Sequence, residues 1–246
     1  MKVANAIAEI LKREGIEFLI GYPVNPIIEA AAEADIRTIM VRQERIGLHM
    51  CDAIAKVTSG DRIGVFAMQH GPGTENAFGG VAQSYGDSCP VVVLPAGYAR
   101  NVNQVRPNFN AALNFRHVTK WIEQVTVPGA TEEALRRAFT QVKNGRPAPV
   151  LIEFPSDLLR EEISGPIEYQ KTPRLKSGPE LVSSKFVIPY PPGFPIMVPG
   201  QVISPEIVTF MRKLDVKEIH GYYAAAGLKL LKTETTRRRR SRSTRK

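Results

Sequence analysis

Cysteine is scarce in these 246 residues: only Cys51 and Cys89 occur, far apart in the chain. Two thiols exclude a disulfide-stapled secreted scaffold, and neither has a Cys or His beside it at zinc-ligand spacing. They read as reduced cysteines of a cytoplasmic protein. Long hydrophobic runs are missing too. The most apolar stretch, 90–96, is far too short to span a bilayer. Glu9, Lys12, Arg13 and Glu14 break up the region where a signal peptide would need an apolar centre. No membrane partner is expected. The four histidines, His49, His70, His117 and His220, have no i,i+4 spacing and no Ser or Cys partner. No nucleophilic triad can be built from them.

What is present is an excess of positive charge: 33 Lys and Arg against 24 Asp and Glu, formally +9. Its location decides its meaning. Residues 232–246 hold Lys232, Lys246, six arginines and a single acid, Glu234, leaving about +2 for residues 1–231. The tail has no apolar residue and is expected to be disordered. It suffices for salt-sensitive phosphate contacts, but no aromatic residue accompanies it for base stacking. Nucleic acid is therefore the least supported partner.

Residues 1–155 alternate between helical and strand periods. Val3, Ile7, Ile10 and Leu11 lie on one helical face, and Gly15 stands where a C-terminal cap belongs. Residues 16–20 read as a strand, and Asn25-Pro26 as cap and first turn of the next helix. Strand 36–41, a helix over 44–57 closed off at Gly60, strand 62–68, a helix over 74–85 and the Val-rich strand 91–94 follow. An irregular stretch precedes helix 131–143 and strand 150–154. Strands alternating with such helices predict an α/β fold, a doubly wound, mostly parallel sheet with helices on both faces. The division expected is an α/β domain over 1–163 and a Ser/Gly/Pro/Lys linker over 164–184. A small Pro-rich α+β appendage over 185–231 comes next, then the basic tail. Ser204 and Pro205 open the appendage's one credible helix. About fifty residues with one helix make a core too small to be trusted alone.

In such folds ligands sit beyond the carboxyl ends of the strands, which directs the search to the loops 21–25, 42–44 and 69–76. Glu44 follows a strand and starts a helix. By position alone, complementation of the helix dipole explains it. The block Gln69-His70-Gly71-Pro72-Gly73-Thr74-Glu75-Asn76 is a tight glycine turn that lets backbone approach a ligand. It fits neither the dinucleotide fingerprint nor a phosphate loop.

Taken in order, GIEFLIGYPVNPIIEA, VRQERIGLHMCDAIAKVTSG, HGPGTENAFGGVAQSYGDSCPVVVLPAG, HVTKW and GRPAPVLIEFPSDL resemble the N-terminal, pyrimidine-binding domain of thiamine-diphosphate enzymes of the acetolactate synthase and benzoylformate decarboxylase type. The resemblance spans 1–179 and implies thiamine diphosphate as cofactor, with Glu44 as the activating glutamate. A carboxyl hydrogen-bonded to the aminopyrimidine ring promotes loss of the thiazolium C2 proton. It further implies that Gly71, Pro72, Gly73 and Asn76 line the pyrimidine side and that Tyr22 and Pro23 belong to the first active-site loop. Gln69-His70 before the glycine turn and Ala96-Gly97-Tyr98 after the Val-rich strand depart from the family pattern. The family's diphosphate and Mg²⁺ motif, Gly-Asp-Gly, does not occur; Gly60-Asp61 precedes Arg62 and Gly86-Asp87 precedes Ser88.

The expectation is the pyrimidine half of a 2-keto acid decarboxylase or carboligase, in a homo- or hetero-oligomer, with Mg²⁺ and the diphosphate site supplied by a partner domain. The competing reading is a non-catalytic dimerisation or binding module. Residues 185–231, with FVIPYPPGFPIMVPGQVISPEIV and LDVKEIHGY, resemble the C-terminal part of pyridoxal-phosphate ornithine/lysine/arginine decarboxylases. No His-Lys pair occurs to carry that cofactor, so the chain reads as two partial enzymes fused.

Overall fold

The computed structural model describes residues 1–174 without interruption, then 183, 186–190, 195–198, 201–203, 205–214, 218–220, 222–223 and 227–228. The basic tail, Ser204 and residues 175–182 and 184 of the expected linker lie outside the described residues. The chain divides into two units after Leu175.

The first unit starts with α1 (Val3–Glu14), whose apolar face of Val3, Ile7, Ile10 and Leu11 is wholly buried. Gly15 ends it in the left-handed conformation, φ +84°, where a side chain would be strained. Then come β1 (Phe18–Gly21), α2 (Pro26–Glu33), β2 (Arg37–Met40), α3 (Glu44–Val57), β3 (Gly64–Met68), α4 (Pro72–Gly86) and β4 (Val91–Gly97). A four-residue helix α5 (Ala111–Asn114), β5 (Trp121–Gln124), α6 (Thr131–Lys143) and β6 (Val150–Pro155) complete the sheet. All six strands pair in parallel in the order β2-β1-β3-β4-β6-β5. The three fully buried strands, β3, β4 and β6, are apolar throughout except for Glu153, as a sheet covered on both faces requires.

Alternate residues of each strand serve opposite layers. Val65, Ala67, Val92, Leu94, Val150, Ile152 and Phe154 join the core shared with α1, α2 and α6. On the other face α3 and α4 approach closely. A Cβ on Gly47 would lie 2.2 Å from Phe66, and one on Gly64 2.5 Å from Cys51. Both cysteines are buried and free.

β5 falls inside the stretch that sequence left irregular. Its segment, Trp-Ile-Glu-Gln, is half-buried at the sheet edge and lacks the alternation that marks a strand. α3 keeps the bounds 44–57 read from the sequence, and α4 begins at Pro72 rather than Thr74.

Residues 167–174, read from sequence as the start of a linker, run as extended chain against α1 and α6. Arg13 donates to the carbonyls of Ile167 (2.9 Å) and Tyr169 (3.1 Å). Glu14 accepts from the Thr172 backbone N–H (2.9 Å), from the Tyr169 hydroxyl and from Lys143, which also donates to the Thr172 carbonyl. Burial works to raise the Glu14 pKa, but these donors outweigh it and hold the carboxyl below its ordinary value.

In the second unit, β7 (Ile188–Tyr190) pairs antiparallel with β8 (Glu218–His220), and β9 (Tyr222–Tyr223) with β10 (Gly227–Leu228). Among the described residues one helix, α7 (Pro205–Lys213), accompanies them. Val187, Met197 and Met211 form its small buried cluster.

Candidate functional site

The chain leaves β1 for the edge strand β2 and returns to place β3 on the other side of β1. The carboxyl ends of β1 and β3 therefore flank a topological switch point, where loops diverge and leave room for a ligand. Three loops meet there, and their local sequence explains their form.

The loop after β1 is fixed by Asn25. Its Oδ1 caps α2 by accepting from the Ile27 N–H at 3.0 Å, and Pro26 takes the first helical position. Its Nδ2 donates to the carbonyls of Met68 and Leu94, both at 2.9 Å. One side chain thus ties the loop after β1 to the end of β3 and the middle of β4. The capping role was legible in the sequence; the reach to β3 and β4 was not, because it depends on strand order. Tyr22 donates its N–H to the Ala67 carbonyl at 3.0 Å and is half-buried, while Pro23 is exposed.

Glu44 is the first residue of α3 and is 2% exposed. Among the described residues no hydrogen bond to its carboxylate occurs, and no polar side-chain atom is sealed away unpartnered. The carboxylate is therefore available at the surface of the cleft rather than consumed by the fold. Dipole complementation alone would be served by an exposed acid; burial sets this one apart.

The glycine turn after β3 is what makes room for it. A Cβ on Gly73 would stand 3.1 Å from Glu44 Oε1 and 2.6 Å from Gln69 Cγ. Gly71, with φ +57°, caps α4, and a Cβ there would meet the Tyr98 hydroxyl at 2.4 Å. Thr74 Oγ1 closes the turn by donating to the Gln69 carbonyl at 2.8 Å. Tyr98, the first residue after β4, packs against the His70 ring with centroids 4.4 Å apart. The two departures from the family pattern, at 69–70 and at 98, thus touch one another beside the turn.

Of the residues singled out in the sequence, the structure brings Glu44 and Gly73 together and sets Gly71 in the same turn. Pro72 and Asn76 are exposed on the first turn of α4, and Tyr22 and Pro23 stand at the end of the neighbouring strand. Among the described residues no three His, Cys, Asp or Glu side chains gather as metal ligands, and no helix is long and apolar enough to cross a membrane.

Residues 1–136 match the family described as thiamine pyrophosphate enzyme, N-terminal TPP binding domain. The chain is 33% identical over 168 residues to a probable acetolactate synthase large subunit of Methanocaldococcus jannaschii, covering 66% of this chain and 28% of that protein. It is 28% identical over 180 residues to the acetolactate synthase large subunit of Haemophilus influenzae, covering 71% of this chain and 31% of the relative. A 2-hydroxyacyl-CoA lyase 2 of Xenopus laevis is 32% identical over 159 residues, 62% of this chain and 24% of that protein. The chain spans less than a third of the length of these relatives.

Proposed function

Because the chain belongs to the thiamine pyrophosphate enzymes by its N-terminal TPP binding domain, we propose that it supplies the pyrimidine side of an acetolactate synthase-like active site acting on 2-keto acids. The observation that carries this reading is the Glu44 carboxylate: buried, beside Gly73 whose missing side chain leaves it room, and with no hydrogen-bond partner among the described residues. A flat heteroaromatic ring suits that setting. Gly71 and Gly73 leave space at the turn, and Tyr22, just after β1, and Asn76, exposed on α4, are the side chains assigned to contact the ring.

When bound, thiamine diphosphate would supply an acidic ring carbon, a latent nucleophile toward keto carbonyls. The chain's own part is proton management. Glu44 would hold the pyrimidine ring by a hydrogen bond at its carboxyl, and its burial would keep bulk water from competing for that bond. Asn25 fixes the loop after β1 against β3 and β4. The diphosphate and Mg²⁺ fall to a partner domain carrying the Gly-Asp-Gly motif, in a homo- or hetero-oligomer.

Calorimetric titration with thiamine diphosphate and Mg²⁺ tests this, first on the full chain and then on its mixture with the diphosphate-binding domain of a relative. Tight binding is expected only in the mixture, together with pyruvate consumption that Glu44→Gln reduces at least a hundredfold. A mixture that binds no cofactor, or a Glu44→Gln variant as active as the parent, overturns the proposal.

A further inference from the structure

Four acidic side chains among the described residues are buried: Glu14, Glu44, Asp52 and Glu153. Glu14 pairs with Lys143 and Asp52 with Lys56, and Glu44 belongs to the site above. Glu153 is 4% exposed and takes part in no ion pair among the described residues. A carboxyl buried without a cation is costly to keep, and plain packing would be served by an apolar side chain.

Its surroundings suggest the task. Glu153 lies near the carboxyl end of β6, between Ile152 and Phe154, which both face the α1/α6 core. Its own side chain therefore points to the other face, the side of α3 and α4. Glu153 Oε2 accepts from Gln124 Nε2 at 3.1 Å, and Gln124 Oε1 accepts in turn from Asn103 Nδ2 at 3.5 Å. Oε1 rests on the backbone of Gly97, where a Cβ would lie 2.7 Å away. Gly97 ends β4 and immediately precedes Tyr98, which packs on His70 and meets Gly71.

We propose that Glu153 is the positioning residue for the loop that leaves β4, holding Tyr98 against the glycine turn from behind Gly97 and holding Asn103 through Gln124. That this loop walls the cofactor site rests on the proposed function; the holding does not.

The electrostatics agree. Burial pushes the Glu153 carboxyl up to about 7, opposed only by the Gln124 hydrogen bond. No charged neighbour sets its proton. Gln124 of β5 is neutral, and Glu123 is engaged with Arg137 and Trp121. In the loop, Arg100 is taken up by Asp157 and Glu161, while Tyr98 offers only a phenol. α5 presents no titratable group, and Arg116 and His117 beyond it are exposed. Deprotonation would therefore place an unpaired charge directly behind Gly97, and the loop is the part able to respond.

Nuclear magnetic resonance on the full chain, labelled at glutamate carboxyl carbons and backbone amides, tests the holding without catalysis. The Glu153 carboxyl is expected to titrate near pH 7, and the amides of Gly71, Gly97, Tyr98, Asn103 and Gln124 to shift with the same midpoint. In Glu153→Gln those amides lose that transition, whereas in Glu44→Gln they keep it. A Glu153 midpoint in the ordinary carboxylate range, or a transition seen at Gln124 but absent from Tyr98 and Gly71, overturns the proposal. Should Glu153→Gln not fold, the parent's titration alone separates these outcomes. In the reconstituted enzyme, activity falling above pH 7 in the parent but not in Glu153→Gln is the functional counterpart. An inactive mixture would count against the proposed function and leave the resonance result standing.

Discussion

Glu153 and Gly73 show how single positions near the strand ends set conditions for the whole cleft. Between the ordinary carboxylate range and about pH 7, the folded chain keeps the Glu153 proton while the unfolded chain has lost it. Stability therefore falls as pH rises through that window, by on the order of 3 kcal/mol if the full shift is realised. The neutral isostere removes the effect: Glu153→Gln should be the more stable protein at pH 8 and show no advantage near pH 4. Urea denaturation at the two pH values measures it. Gly73→Ala tests the turn in a different way. Alanine is the better helix former by about 1 kcal/mol, and the flexible Gln69 side chain can move away from the new methyl. Global stability should change by less than about 1 kcal/mol, while Glu44 is displaced. Cofactor affinity of the reconstituted site should drop tenfold or more. A variant equal to the parent in calorimetry would show that Glu44 tolerates the intrusion.

Asn25 binds elements rather than residues. Its replacement by alanine removes the α2 cap and leaves the Met68 and Leu94 carbonyls without that donor. A cost of about 2–4 kcal/mol is expected, since a buried polar group left unpaired loses more than one ordinary hydrogen bond. A melting-temperature change within error would mean that water replaces the amide. The element level is also where sequence was most and least informative. Strands rich in valine and helices with a clean apolar face, such as β4 and α1, declared themselves because burial writes a period into composition. β5 did not, because an edge strand with half-exposed residues needs no such pattern. The order of the strands was not legible either, and with it went the bridge from Asn25 to β3 and β4. Glu44 and the Gly71-Gly73 turn were readable as candidates. The contact of Tyr98 with His70, and the place of Glu153 behind Gly97, arise only once β3, β4 and β6 lie side by side.

At the scale of the molecule, the extended segment through Thr172 and Pro173 belongs to the first unit by its bonds. It delivers Tyr169 and Thr172 to Glu14, and Lys143 and Asn144 reach its carbonyls. A chain ended after Leu175 should therefore unfold cooperatively as an independent unit. One ended after Gly165 leaves Glu14 and Lys143 with only each other and should melt markedly lower, several kcal/mol less stable. Equal melting of the two would deny the segment any part in stability. The packing of Cys51 under Gly64, and the burial of Cys89 at the entry to β4, carry a practical corollary. Both thiols are pushed well above their ordinary pKa, chiefly by burial, so neither offers thiolate to a reagent while the sheet is closed. An alkylating or disulfide-exchange dye should mark them only when the surrounding structure opens, which turns the two side chains into internal clocks. Cys51 times the parting of α3 from the sheet, Cys89 the release of the central strand. The ratio of the two labelling rates says whether the cleft face comes away by itself or only with the rest of the fold.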